Sequence, residues 1–167
     1  MKDIIQDPDP VLRQAAAAVP VSEITTKKIQ GIVAAMQEAL ANEEDGVAIA
    51  APQIGVSMRL FVVSKKVLKD APADMVFINP ELIRLGKQKK FVHEGCLSVR
   101  WKYGLVKRAT TATVRAYNMQ GNQFQMSARG LLAQVFQHET DHLDGILFID
   151  SAKEIEDIPP HHEPHTV

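Results

Sequence analysis

His138-Glu139-Thr140-Asp141-His142 is an H-E-x-x-H sequence, and its residue types and spacing suit metal-assisted hydrolysis. Residues four apart on a helix are neighbours, with roughly 5–6 Å between β-carbons, so both imidazoles can converge on one ion without strain. Glu139 is turned about 100° further around the axis, which sets its carboxylate beside the open coordination position, where a base belongs. Two ligands leave such a site one short, because a catalytic zinc-type centre uses three protein groups and keeps a position for water. The longer zinc-protease motif would put a third histidine where Phe148 stands, although Gly145 is at the right offset. Glu154, Glu156 and Glu163 lie in a charged, proline-broken tail that is a poor support for a rigid ligand. Cys96 by itself reads as a small buried hydrophobe. Its setting in His93-Glu94-Gly95-Cys96-Leu97-Ser98, beside a glycine that permits close backbone approach, instead selects it as the third ligand. A thiolate with two imidazoles favours zinc, iron or cobalt over magnesium or calcium. Such an ion acidifies water, Glu139 takes the proton, and the hydroxide attacks a carbonyl carbon. The expected reaction is hydrolysis of an amide bond.

These residues need elements to hold them. After Arg129-Gly130, Leu131, Leu132, Val135, Phe136 and His142 fall close to one stripe of a helix that ends near Asp144-Gly145. An earlier amphipathic helix runs from Ile24 through Ile29, Ile32, Val33, Met36 and Leu40, with Ser22 as its cap and Asp45-Gly46 as its exit. Leu12 to Ala18 is alanine-rich and reads as one or two helical turns stopped by Pro20. Between the helices, Arg59–Ser64, Met75–Leu85, Thr111–Tyr117 and Gln123–Ala128 read as strands, the last two joined by a hairpin over Asn118–Asn122. Helix, several strands, helix is the order of an α+β fold. No repeat or linker divides residues 1–150, which form one catalytic domain, and 151–167 reads as a short mobile tail.

Composition narrows the function classes. With 167 residues, 46% of them hydrophobic and 23% charged, the chain has the balance of a soluble domain with a real core. A net charge of -1 provides no overall basic field, so nucleic acid is not expected as a direct partner. The amino terminus lacks the apolar stretch of a signal peptide, and no run of about 18 apolar residues is available to cross a membrane. One cysteine makes no internal disulfide, which fits the cytoplasm.

From about Asp7 to Asp150 the sequence resembles the peptide deformylase family. Three motifs occur in order: Gly46-Val47-Ala48-Ile49-Ala50-Ala51-Pro52-Gln53, Glu94-Gly95-Cys96-Leu97-Ser98, and Gln137-His138-Glu139-Thr140-Asp141-His142-Leu143-Asp144-Gly145. The resemblance implies antiparallel β-sheets packed around a central helix that carries the H-E-x-x-H motif. It also implies hydrolytic removal of the formyl group from N-formylmethionine at peptide N-termini, with the ribosome as the expected place of encounter. Ferrous iron is then the expected ion, with zinc, nickel or cobalt able to use the same ligands, Cys96, His138 and His142. Glu139 becomes the acid and base, while Gln53 and the backbone amide of Leu97 stabilise the oxyanion. Val47, Ala48, Gly95, Leu131 and Val135 are the expected substrate-binding residues. Two alternatives share these motifs: an amidase or peptidase with shifted acyl specificity, and a non-catalytic metal-binding relative. Glu139 and Gln53 argue against the latter, since a pure binding site needs neither.

Some positions depart from the family pattern. Ala48 replaces a usual glycine; in extended backbone its methyl simply narrows the pocket, and Val47 and Ile49 favour that state. Arg100 stands where proline is common, and Tyr103 lies near a usual arginine that steadies the glutamate and cysteine region. Arg108 reads either as an anchor for substrate backbone or as a solvated surface arginine. His161, His162 and His165 read as solvated residues, not ligands, and the tail does not resemble the family's long closing helix.

Overall fold

The computed structural model describes residues 3–160. Five antiparallel strands form the larger sheet in the order β1 (Ala48–Ala50), β2 (Leu60–Val63), β3 (Met75–Leu85), β6 (Thr111–Tyr117), β7 (Gln123–Arg129). A smaller sheet pairs β4 (Lys89–Gly95) with β5 (Lys102–Ala109) and β5 with β8 (Lys153–Asp157), again antiparallel. Two helices complete the α+β fold, α1 (Lys27–Ala41) and α2 (Gly130–Leu143). Among the described residues no helix is long and apolar enough to cross a membrane.

The alternation of strand side chains divides the core between the helices. Phe61 and Val63 point with Phe77 and Val114 toward Phe136 and Leu143 of α2. Leu60, Val62 and Ile78 point the other way, toward Ile29, Val33 and Met36 of α1. This is why β2 is an unbroken apolar run: it is covered on both faces. Under the smaller sheet, Val106 packs with Leu12, Val99, Leu147 and Phe148. Helix α2 lies across the larger sheet and also touches β5, so both sheets meet at the helix that carries the histidines. Arg59, just before β2, donates 3.0 Å to the carbonyl of Leu143 and 2.8 Å to Asp144, satisfying the end of α2. Gly145 then turns the chain at φ 74°, where an added Cβ would meet the Arg13 carbonyl at 2.7 Å.

The strands expected from Arg59, Met75, Thr111 and Gln123 are present, and α2 ends where expected. Four expectations are corrected. The alanine-rich stretch from Leu12 to Ala18 is not helical beyond a 3-10 turn at Pro10–Arg13. Ala16 and Ala17 instead donate main-chain hydrogen bonds to Leu143 and Ser57, tertiary pairing that outweighs alanine's helix propensity. Helix α1 starts three residues later than Ile24, because Thr26 accepts the Ile29 N–H while Val21–Glu23 forms a separate 3-10 turn. It stops at Ala41, short of Asp45. The presumed mobile tail contains β8, whose side chains are all exposed. Main-chain pairing with β5 orders it without burial, so hydropathy could not reveal it, and the unit extends past residue 150. His161, His162 and His165 lie outside the described residues.

Phe136 joins the site helix to the sheet: its ring lies 5.2 Å from that of Phe77 and 6.3 Å from that of Phe61. Phe136→Ala should cost about 3–5 kcal/mol of unfolding free energy in urea titrations, and Phe136→Leu much less. Equal losses would show that ring packing does not support this helix.

Candidate active site

One turn of α2 separates His138 from His142, and their ring centroids are 4.9 Å apart. Cys96, in the loop that leaves β4, brings its Sγ to 3.2 Å from His142 Nε2. The thiol and one nitrogen of each histidine all lie within 4.8 Å of one another. Cys96, more than forty residues before His138, therefore meets both histidines.

What fixes them is a carboxylate beneath the sheet. Glu94 accepts a 2.6 Å hydrogen bond from His138 Nδ1, which leaves Nε2 free as a ligand. Arg108, on the paired strand β5, grips Glu94 through Nε at 3.0 Å and Nη2 at 2.6 Å, and reaches Asp141 of α2 at 2.6 Å. Gln134 adds a 3.2 Å hydrogen bond to Glu94. Burial by itself raises the pKa of Glu94, but His138 and Arg108 outweigh it and bring the carboxyl down to about 2. Arg108 is thus neither a substrate anchor nor a solvated arginine: it is 8% exposed and held by two acids. The support that Tyr103 was expected to lack comes from Arg108, while the Tyr103 ring covers Gly95 so closely that a Cβ there would sit 2.6 Å from it. Glu94, Arg108, Gln134 and Asp141 were not singled out from sequence as supports. One signal was available, since Glu94 is the sole acid between Glu81 and Glu139 and follows Val92 inward on a strand.

Gln53 is 1% exposed in a 3-10 turn, Ala51–Ile54. Its Oε1 accepts the Ala50 N–H at 2.8 Å, so its NH2 must face the other way. There it donates to Ser98 Oγ at 3.0 Å and lies 3.7 Å from the Cys96 sulfur. The Leu97 carbonyl accepts from Gln6 at 2.8 Å, tying this loop to the amino-terminal segment. Glu139 is buried and its Oε2 has no hydrogen-bond partner. Burial raises its pKa, an effect only partly offset by the two imidazoles. Val47, Ala48, Gly95, Leu131 and Val135 all line a cleft of about 290 Å³ shared with Gln53, Cys96, Leu97, His138 and Glu139. Leu131 is 52% exposed at its mouth, not on the buried stripe expected of it. Ala48 lies in β1 opposite Val63, so its backbone is extended and its methyl faces no conformational penalty.

The donor set fits a soft transition ion. Burial pushes the Cys96 thiol up, but His142 and His138 bring it down to about 5, so it is a thiolate at neutral pH. Burial lowers the pKa of His138, yet Cys96 and Glu94 hold it well above the usual value. An anionic sulfur with two imidazoles crowded against it is the charge pattern that a bound cation would relieve.

A family model described as polypeptide deformylase matches residues 1–157. A curated peptide deformylase of Desulforudis audaxviator is 42% identical over 152 residues, which cover 91% of this chain and 94% of the relative. A solved peptide deformylase of Legionella pneumophila superposes with a TM-score of 0.83 at 36% identity, covering 92% and 87% of the two chains. One from Acinetobacter baumannii with Met-Ala-Ser bound gives 0.79 at 33% identity, covering 88% and 95%.

The low pKa of Glu94 makes a pH prediction with a definite sign. Unfolded, the carboxyl titrates near 4.5, and folded near 2. Its contribution is therefore complete above pH 4.5 and is lost as pH falls toward 2. Between those limits the metal-free protein should lose about 3 kcal/mol more unfolding free energy than Glu94→Gln. Parallel pH profiles for the two proteins would contradict the arrangement.

Proposed function

This chain belongs to the peptide deformylase family, a family of metal-dependent hydrolases, and we propose that it removes the formyl group from N-formylmethionyl peptides and releases formate. The single observation that carries this reading is the meeting of Cys96, His138 and His142 beside a buried, unpartnered carboxyl oxygen of Glu139. The Met-Ala-Ser peptide held by the Acinetobacter baumannii neighbour supports the substrate class.

Cys96, His138 and His142 hold a ferrous ion in this reading, with zinc, nickel or cobalt able to take its place. When bound, the ion supplies a Lewis acid that polarises the formyl carbonyl and acidifies the attacking water. Glu139 takes the proton of that water; its raised pKa and buried position allow it to hold the proton and then hand it to the departing amine. Gln53 Nε2, with the Leu97 amide, receives the charge that gathers on the former carbonyl oxygen. Donors fixed in advance need no reorganisation at that moment, and losing one typically costs about 3–4 kcal/mol. Gln53 is so fixed, because its carbonyl is already committed to Ala50. Val47, Ala48, Gly95, Leu131 and Val135 offer the methionine side chain an apolar cleft. New polypeptides emerging from ribosomes in the cytoplasm are the natural source of such substrates.

One observation favours a second reading, an amidase or peptidase with shifted acyl specificity: the Ala48 methyl occupies room in the cleft that a glycine would leave.

Three experiments bear on this function. Anaerobically purified protein should contain one iron per chain and release formate from formyl-Met-Ala-Ser, losing activity in air. Glu139→Gln should keep the iron while kcat falls about 10²- to 10⁴-fold; a variant as active as the wild type would refute Glu139 as the proton carrier. For Ala48→Gly, kcat/KM on the same peptide should rise several-fold. No rise would mean that the methyl does not restrict this substrate.

A further inference from the structure

The net charge of -1 is an average over two very different parts of the chain. From Leu82 to His138 there are ten lysines and arginines and one acid, Glu94, which is buried. Four of those cations are neutralised: Arg100 by Glu43 and Asp45, Lys102 by Asp157, Arg108 by Glu94 and Asp141, and Arg115 by Glu81. The other six, Arg84, Lys87, Lys89, Lys90, Lys107 and Arg129, are exposed and form no salt bridge among the described residues.

The topology gathers these six at one end of the molecule. Lys87, Lys89 and Lys90 lie at the connection from β3 into β4, and Lys107 faces Phe91 across the β4–β5 ladder. Gly86 donates to the Thr111 carbonyl, and Thr111 is paired with Arg129, which places Lys87 beside the end of β7. Strand alternation puts Lys89, Phe91 and Lys107 on the outer face of the small sheet, opposite the inward Glu94 and Arg108. Lys153, from β8, sets its ammonium 5.2 Å from the centre of the Phe91 ring. Phe91 is 48% exposed. About half of this ring is left in solvent beside Lys107 and Lys153, outside the hydrophobic clusters of the core.

We propose that this outer face, centred on Phe91, binds single-stranded RNA: the lysines contact phosphates, and the ring stacks against a base. The acid on this face, Glu156, pairs with Tyr103 at the far end of β5 from Lys107, so the cations at the Lys89–Phe91 end are grouped away from it. Grouped cations are the electrostatic footprint of a polyanion site, and a flat ring among them distinguishes a nucleic acid from a lipid surface or a bare polyphosphate. A sheet face with an exposed aromatic is also how single strands, with their bases splayed, are commonly held. Lys89, Phe91 and Lys107 are not among the residues that line the cleft, and the inference does not rest on the deformylation reading.

The test uses metal-loaded, full-length protein and a fluorescein-labelled uridine 12-mer, followed by anisotropy in about 50 mM salt. Binding with Kd at or below about 10⁻⁴ M is expected, weakening steeply with salt. Lys89→Glu with Lys107→Glu should abolish it, and Phe91→Ala should weaken it about tenfold. Far-UV circular dichroism and the urea unfolding midpoint should be unchanged in all of these variants, which verifies their folding. Lys27→Glu with Lys28→Glu, on the exposed side of α1, should bind RNA like the wild type. The proposal is overturned if the 12-mer does not bind, or if the α1 variant loses as much affinity as the sheet variant. It is overturned equally if polyphosphate or phosphatidylserine vesicles bind as tightly as RNA and Phe91→Ala changes nothing.

Discussion

Glu94 is a carboxylate taken out of water, and its charge must be met by hydrogen bonds or be lost. Arg108 meets it with a fork of two hydrogen bonds, and His138 meets it with one. A buried pair of this kind contributes little net stability, because desolvation cancels most of the attraction. Its value lies in direction. The hydrogen bond at His138 Nδ1 fixes the ring so that the opposite nitrogen is the one offered to an ion, and the same guanidinium reaches Asp141 on the site helix. Cys96 follows just beyond the end of β4, and the loop there turns its sulfur to His142 on that helix. One interaction thus sets the rotation of a histidine, the distance from sheet to helix and the approach of the thiol.

A second set of ties fixes the opposite wall of the cleft. The Gln53 carbonyl accepts from Ile5, and the Ser98 carbonyl from Asp7, so a short amino-terminal segment runs between the turn carrying Gln53 and the loop carrying Leu97. Gln6 between them donates to Leu97. Neither the turn nor the loop has regular structure to hold it, and these cross-chain hydrogen bonds supply what a helix supplies to the histidines. Beside them, Arg100 reaches Glu43 and Asp45, joining the Cys96 loop to the segment that leads into Val47 and Ala48. A proline at that position would give no such bridge.

The two faces of β4 have different physical roles. Its inward residues, Val92 and Glu94, sit where water is scarce and a single charge orients the chemistry. Its outward residues, Lys89 and Phe91, stand in solvent, where Lys89 and the neighbouring Lys107 form no salt bridge among the described residues. Period-two alternation lets seven residues serve both sides.

The sequence by itself determined what depends on neighbours along the chain. Helical spacing places His138, Glu139 and His142 on adjoining faces whatever the rest of the fold does, and alternation or apolar runs mark β2, β3, β6 and β7. Composition and motif also singled out Cys96 and Gln53, but not the hydrogen bonds that orient them. Tertiary structure alone decided which partner each charge took. Arg108 and Glu94 are 14 residues apart and Glu94 and His138 are 44 apart, and nothing local distinguishes a buried arginine from a solvated one. It decided also that alanines at 16 and 17 pair instead of coiling, and that an exposed tail segment becomes an edge strand. In each case the deciding bond joins segments distant in sequence, and its energy exists only after the chain has folded.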